Sequence, residues 1–505
     1  MIDHERARLP APRGTGWLFA AILFVAAGLR LWAVDFGLDI ERVRPDEEFV
    51  VGKAMAMLES GDLNPHFFHY PALLLYVDAA LLGVFELFAK AGFDPRLVGR
   101  LLSVVCGVGT VAVAGVMGTR LFSPRAGLAA AAFLAVAYQH VRESHFATTD
   151  VPMVFLVTVS VAFAVEGRRS KRHLWIRLAA VSAGLAASTK YTGVLALLPL
   201  ALVIATLDER SWRERGGELV ICVFLAFAVF ASTSPYLFLD TEGALSSVNE
   251  LFRETWGERT LTVWNPWYPV TFSLRYGLGI PLLALGIVGL MRTARSPRAL
   301  VLLGWSVPFL AAAMATPTAF ARYALPIVPP IALAAAFFLE LLRARGLVWM
   351  ALFLSGAIPN AHASVSFDRL LSREDTRSLA RKWIQDHLTP GTRVQICWGY
   401  GAPSLPPDFP VRWVGSRLGA VRAAERDGFD VLITHEHPAL ERYSRVDRSL
   451  SRRLGAAVLL QRFDPFAPGK SPGIYDAVDA FYLPYSGFQG VERPGPRVSV
   501  WKLSR

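Results

Sequence analysis

Apolar stretches recur along most of this chain and leave little room for any other solvent than lipid. Runs with few or no charges occupy about 15–34, 71–90, 97–119, 126–141, 151–166, 174–187, 191–206, 218–236, 276–291, 299–315, 324–341 and 347–360. Several approach the roughly 20 apolar residues a helix needs to cross a bilayer. An open chain can cross lipid only as helices, because every backbone N–H and C=O must be satisfied within the segment. The sequence therefore predicts a polytopic helical membrane protein. Composition agrees: of 505 residues 53% are hydrophobic and only 18% charged, against about a quarter charged in soluble domains.

Charge density rises sharply after residue 360. We expect a transmembrane domain at 1–360, with a first outer loop at 35–70, and a small water-soluble α/β domain at 361–505. The net charge of +11 fits an excess of Lys and Arg in cytoplasmic loops. No basic stripe with interleaved aromatics points to nucleic acid. Cys106, Cys222 and Cys397 are too few and too scattered for a disulfide framework.

Arg6, Arg8 and Arg13 precede the first run, which has the length of a retained anchor rather than a cleaved signal. The positive-inside rule then puts the N-terminus in the cytoplasm and loop 35–70 outside. The cluster Arg168-Arg169-Ser170-Lys171-Arg172-His173 belongs inside, as do Arg210, Arg213, Arg215, Arg292, Arg295, Arg298, Arg343 and Arg345. Asp150 then lies on the same outer face as Asp46. Two residues on one face need an even number of crossings between them, yet three runs intervene (71–90, 97–119, 126–141). One of the three does not cross completely.

The same bookkeeping gathers Asp46, Glu47, Glu48, His66, His69, Tyr70, His145, Asp150, Lys190, Arg322 and Tyr323 at the outer face. Adjacent acids at a membrane boundary are costly unless they face water or act. Glu47–Glu59 has helical apolar spacing and reads as an amphipathic surface helix ending at Gly61-Asp62. Carboxylates facing cations suit a reaction between a lipid-borne group and an aqueous acceptor: a carboxylate takes the acceptor proton, and cations hold a phosphate as its charge grows. Asp46 suits the base; Lys190 and Arg322 suit the phosphate. Plainer roles stand beside these. Asp46 or Glu47 caps a helix, Lys190 snorkels, Arg322-Tyr323 anchors at the interface, and Asp150 before Val151-Pro152 starts a helix. His66 and His69, with Glu47 or Glu48, have weak metal-ligand spacing, and His435-Glu436-His437 weaker still.

In the tail, Ser372 with Asp375 reads as a capping box opening a helix to His387, stopped by Pro390-Gly391. Val394–Trp398, Val431–Thr434 and Val498–Trp501 read as strands.

Five motifs together resemble one family. They are Pro45-Asp46-Glu47, His69-Tyr70-Pro71-Ala72-Leu73, the loop Arg142 to Pro152 with Asp150, Ser188-Thr189-Lys190-Tyr191, and Arg322-Tyr323-Ala324-Leu325-Pro326. In order and sidedness the chain resembles the GT-C glycosyltransferases of the protein O-mannosyltransferase and aminoarabinose-transferase type. The resemblance implies a mainly α GT-C-like transmembrane domain, a polyprenyl-phosphate-linked sugar donor, a hydroxyl acceptor and an inverting single displacement in the inner membrane, at its periplasmic face. It maps the base to Asp46, with Glu47 and Asp150 in support, and the donor phosphate to Lys190, Arg322, Tyr323 and Tyr70. Tyr70 stands before one proline where such enzymes often have a lysine and two prolines, which shifts weight to Lys190 and Arg322. It implies no fixed cofactor; a divalent metal ion varies among such enzymes. Two other classes stand against this reading: a secondary transporter, for which Asp78 and Glu86 are the only candidates for charges near mid-bilayer and no internal repeat is present, and a non-catalytic assembly subunit that presents the tail.

Overall fold

The computed structural model describes residues 15–87, 93–207, 211–256, 264–296, 299–318, 320–343, 345–415, 422, 428–454 and 457–503. Arg6, Arg8, Arg13, Arg210 and Arg298 lie outside the described residues. The chain forms two compact units. The first is Met1–Leu31 with Val50–Ser364, and the second is Trp32–Phe49 with Val365–Arg505. The expected loop 35–70 is thus divided between them, and the second unit begins four residues beyond 361, inside a helix.

The first unit is helical throughout. Its main helices are α1 (Thr15–Leu31), α2 (Pro45–Ser60, whose first turn belongs to the second unit), α3 (Leu73–Glu86), α4 (Arg96–Leu121), α5 (Pro124–Val136), α6 (Tyr138–Glu143), α7 (Asp150–Ser170) and α8 (His173–Thr189). After a 3₁₀ segment at Tyr191–Ala196 come α9 (Leu197–Ala205) and α10 (Trp212–Thr233). Five described helical segments are long and apolar enough to span a bilayer: Arg96–Leu121, Asp150–Ser170, Trp212–Thr233, Pro269–Thr293 and Ala321–Leu341. Local chemistry sets their ends. Ser211 and Glu214 cap α10 reciprocally, and Ser123 accepts from the Ala126 N–H ahead of Pro124 in α5. Close helix contact depends on small residues. A Cβ on Gly289 would lie 1.9 Å from the Ala334 carbonyl oxygen, so the helix Arg275–Thr293 meets the helix Val328–Leu341 only with glycine there.

The parity problem has a structural answer. The α1 end carries Arg30, fully buried, which donates to the carbonyls of Leu134 and Ala135 and meets His140 Nδ1 at 2.9 Å. The C-terminal ends of α1 and α5 therefore lie together. At the start of α4, a Cβ on Gly99 would touch Ala147, three residues before Asp150. So α4 leaves the Asp150 end of the unit and α5 returns to it. Helix α3 does neither. Its entry at Ala72 bonds Ser234, while Leu82 near its other end packs with Ala54 of α2 and Val98 of α4. Both of its ends stay at the Asp150 end of the unit. Helix α3 is the one of the three that does not cross, and Asp78 sits buried on it.

The second unit is a small α/β domain. Its five-stranded sheet has the order β2-β1-β3-β5-β4, built from β1 (Val394–Cys397), β2 (Val411–Val414), β3 (Val431–Glu436), β4 (Val458–Phe463) and β5 (Arg497–Lys502). Strand β1 is parallel to β2 and β3, whereas β5 runs antiparallel to β3 and β4. Ala380 and Ile384 of the helix Thr376–His387 pack on Val394, Ile396, Ile433 and Val500. That helix is capped by Asp375, which accepts from the Arg377 N–H. Ser372, expected as the cap, instead bonds the Arg369 carbonyl. Strands β2 and β4 were not legible, since neither alternates cleanly in burial. Segment Trp32–Phe49 is stitched into this unit. Arg377 and Arg381 donate to the carbonyls of Arg42 and Asp39, and buried Arg44 pairs with Asp479 at 3.2 Å.

Candidate active site

In the first unit, Asp150 opens α7 but does not cap it; the N-cap is Thr149, and no side chain caps there. The carboxylate is turned instead to two cations. Lys190 Nζ donates to Oδ1 at 2.7 Å, and Arg322 Nε stands 3.6 Å from Oδ2. All three are withdrawn from solvent, with side-chain exposures of 3% for Asp150, 13% for Lys190 and 5% for Arg322. Neither snorkelling nor interfacial anchoring describes cations held so far inside.

Backbone irregularity delivers each of them. Lys190 is the extended residue between α8 and the 3₁₀ segment Tyr191–Ala196. Arg322 lies in a second 3₁₀ segment, Ala321–Ile327, which contains Pro326. Breaks of this kind at membrane depth occur where a cavity or protein surrounds them.

Aromatic faces surround the cations. Lys190 Nζ lies 4.9 Å from the Tyr323 ring centroid and 5.9 Å from that of Tyr70, and the Arg322 guanidinium sits 4.2 Å over Phe320. Such contacts are worth about 0.5–2 kcal/mol each. Tyr191 donates its hydroxyl to the Phe68 carbonyl at 2.9 Å, tying the Lys190 junction to the segment before Tyr70. Five of the predicted residues (Tyr70, Asp150, Lys190, Arg322 and Tyr323) thus form one cluster. Phe320, two residues before Arg322 and outside its motif, carries no sequence signal, and Tyr191 follows Lys190 in its motif without standing among the predicted site residues.

A cleft of about 660 Å³, mostly apolar, runs between α2, α3 and the end of α10. Met57, Leu58, Leu63, Ala79, Pro235 and Leu239 are among its walls.

The histidines of the first loop are engaged separately. His66 Nε2 meets Asp62 at 2.9 Å while its Nδ1 lies 3.8 Å from Asp240, and His69 faces Glu250 at 3.6 Å. The Asp62 carboxyl is held below its usual range by the Asn64 backbone N–H and by His66. His145 is buried, its Nδ1 on the Val141 carbonyl. In the tail, His435 engages Ser444 and the Cys397 carbonyl, while Glu436 pairs with Arg497. Among the described residues no three His, Cys, Asp or Glu groups are arranged to hold a metal. The histidine motifs do not fit one.

Asp46 and Glu47 are carried by the second unit, in the first turn of α2. Glu47 is fully buried, and its N–H reaches the Arg44 carbonyl. Asp46 and Glu48 are half-buried. Both act on the Tyr400 phenol, which is pushed up first by burial and further by Glu48 and Asp46, against Arg42. Tyr400 was invisible to the sequence because it lies some 350 residues downstream in a loop with no motif.

Residues 78–236 match the family described as dolichyl-phosphate-mannose-protein mannosyltransferase. Solved structures match over most of the chain. ArnT from Cupriavidus metallidurans bound to undecaprenyl phosphate has TM-score 0.52 at 16% identity, over 96% of this chain and 98% of that one. The Archaeoglobus fulgidus oligosaccharyltransferase in its apo form has TM-score 0.56 at 14% identity, over 90% and 74%. AglB of the same organism, in complex with an inhibitory peptide and a dolichol-phosphate, gives 0.54 at 14%, over 83% and 69%. No curated protein matches by sequence. These neighbours are GT-C glycosyltransferases. The chain has the GT-C fold. In this GT-C chain the matched segment carries Asp150 and Lys190, while Arg322 and Tyr323 lie beyond it.

Proposed function

We propose that this chain is an integral-membrane inverting glycosyltransferase, moving a sugar from a polyprenyl-phosphate carrier to a hydroxyl acceptor. The observation that carries the reading is the buried Asp150–Lys190–Arg322 cluster. Lys190 and Arg322 bring two cations to the one carboxylate of Asp150. A polyprenyl-phosphate sugar is a monoanionic diester. As the bond from the anomeric carbon to the phosphate oxygen breaks, its electron pair stays on the phosphate, whose charge approaches −2. A pre-set positive site favours that transition state over the ground state. The apolar cleft suits the isoprenyl chain.

Asp46 is the general base. It takes the acceptor hydroxyl proton as the acceptor oxygen bonds the anomeric carbon from the opposite face. The departing phosphate needs no general acid. Glu47 and Asp150 serve in positioning, Asp150 by holding Lys190. The inner membrane is the proposed location, with the cluster and the second unit on the extracytoplasmic side. A cysteine placed at exposed Asp408 of that unit should label with an impermeant maleimide in intact cells.

Transfer from polyprenyl-phosphate sugars in membranes tests the reading. Asp46→Asn should lower turnover at least about 100-fold, as loss of a general base does, and Glu47→Gln should cost less. Near-wild-type turnover of Asp46→Asn would remove the base.

A further inference from the structure

Three hydroxyls at the ends of α8 and α10 form a chain that no catalytic role explains. Ser234 is fully buried just past α10, and Ser188 is fully buried in the last turn of α8. Ser188 Oγ and Ser234 Oγ are 2.5 Å apart, and Thr233 Oγ1 is 2.8 Å from Ser188 Oγ. Thr233 also reaches the Val229 carbonyl at 2.7 Å, and the Ala72 N–H donates to Ser234 Oγ at 3.0 Å.

Thr233, with one proton to give, is placed to donate to Ser188 Oγ or to the Val229 carbonyl. Ser188 and Ser234 share a further hydrogen bond that either hydroxyl can donate, and the Ser234 oxygen accepts from the Ala72 N–H. The chain of hydroxyls thus ends on a backbone amide.

That amide matters because α3 lacks a cap of its own. Its N-cap is Ala72, with no side-chain bond, and Pro71 before it has no N–H. Ser234 supplies the cap from another helix. The position of α3's entry is then set by α8 and α10 rather than by its own sequence. Tyr70 lies two residues before Ala72, and Lys190 two residues after Ser188. Their side chains meet in the cluster.

We propose that Ser234, through Ser188 and Thr233, is a positioning residue that sets Lys190 against Tyr70 and so tunes the grip on the donor phosphate. This rests on the glycosyltransferase reading for its consequence, though not for its geometry. The full-length protein is assayed in two ways. Modification of Lys190 by an amine-acylating reagent, read by mass spectrometry, reports its packing without any activity. Donor KM and kcat report its grip.

In Ser234→Ala, Lys190 should acylate about five-fold faster and donor KM should rise about five-fold, the size of one lost neutral hydrogen bond. The kcat should fall as well, because Lys190 also meets the charge that grows on the phosphate in the transition state. Ser188→Ala should give a smaller change and Thr233→Val the smallest, in order of distance from Ala72. Lys382, paired with Glu374 in the second unit, should label at the wild-type rate throughout. Wild-type acylation of Lys190 and wild-type donor KM in Ser234→Ala overturn the proposal. Should that variant not fold, wild-type acylation in both Ser188→Ala and Thr233→Val does the same. If acylation follows the series while the wild-type protein transfers from no polyprenyl-phosphate sugar, the positioning geometry stands and the glycosyltransferase reading fails.

Discussion

Two buried ionic sites, one in each unit, use the same chemistry to opposite ends. In the second unit Asp375 and Arg377 form a closed pair. Nε and Nη2 of the guanidinium engage the two carboxylate oxygens at 2.9 and 2.8 Å. The remaining Nη1 donates to the carbonyls of Arg42 and Tyr400, and Tyr482 presents its ring to the guanidinium. One charge meets one charge. In the first unit one carboxylate serves two cations, the nearer at 2.7 Å and the farther at 3.6 Å. Breaking a buried pair is costly because it strands a charge. The bidentate pair closes on itself, whereas in the proposed reading the two cations beside Asp150 also serve the donor phosphate.

That contrast can be broken at either end. The largest effect should come from Arg377→Met, which strands Asp375 and should cost the second unit about 3–5 kcal/mol of stability, read by chemical denaturation. Substitution in the Asp150 cluster should do the reverse. Lys190→Met should lower sugar transfer about 100-fold, the scale of one lost charge-stabilising donor, with little change in thermal stability, because Arg322 still faces Asp150. A large stability loss with transfer retained would reverse the assignment.

Acid should also separate the units. His435 is pushed down from 6.5 to about 4, and His437 from 6.5 to about 3, in both cases chiefly by burial. For His435 the bond to the Cys397 carbonyl partly opposes this, and Arg377 adds to it. A histidine held neutral in the fold binds its proton more readily once unfolded. Stability is thus complete above pH 6.5 and falls as pH drops from 6.5 toward 4. For His435 the loss is on the order of 3 kcal/mol. Denaturation midpoints of the second unit at pH 7 and pH 4.5 measure it, and His435→Gln should flatten the slope. The smallest effect is that of the aromatic wall: Tyr323→Leu should raise donor KM about two- to five-fold, the worth of a partly shielded cation–π contact.

The motifs made Asp150, Lys190, Arg322, Tyr323 and Tyr70 legible because function at a membrane boundary forces charged residues into otherwise apolar sequence, where they stand out. Ser188, Thr233 and Ser234 do not stand out. Small hydroxyls are common in membrane helices, and nothing local marks the one that caps another helix.

By itself the sequence determined the solvent of each part and the helical answer to lipid. Those follow from hydrophobicity and charge, which are properties of each segment alone. Tertiary structure decided that α3 stays at one end of its unit, that Trp32–Phe49 joins the second unit, and that one aspartate holds two distant cations. Those depend on which surfaces fit together, and steric fit between helices is not written in any single one of them.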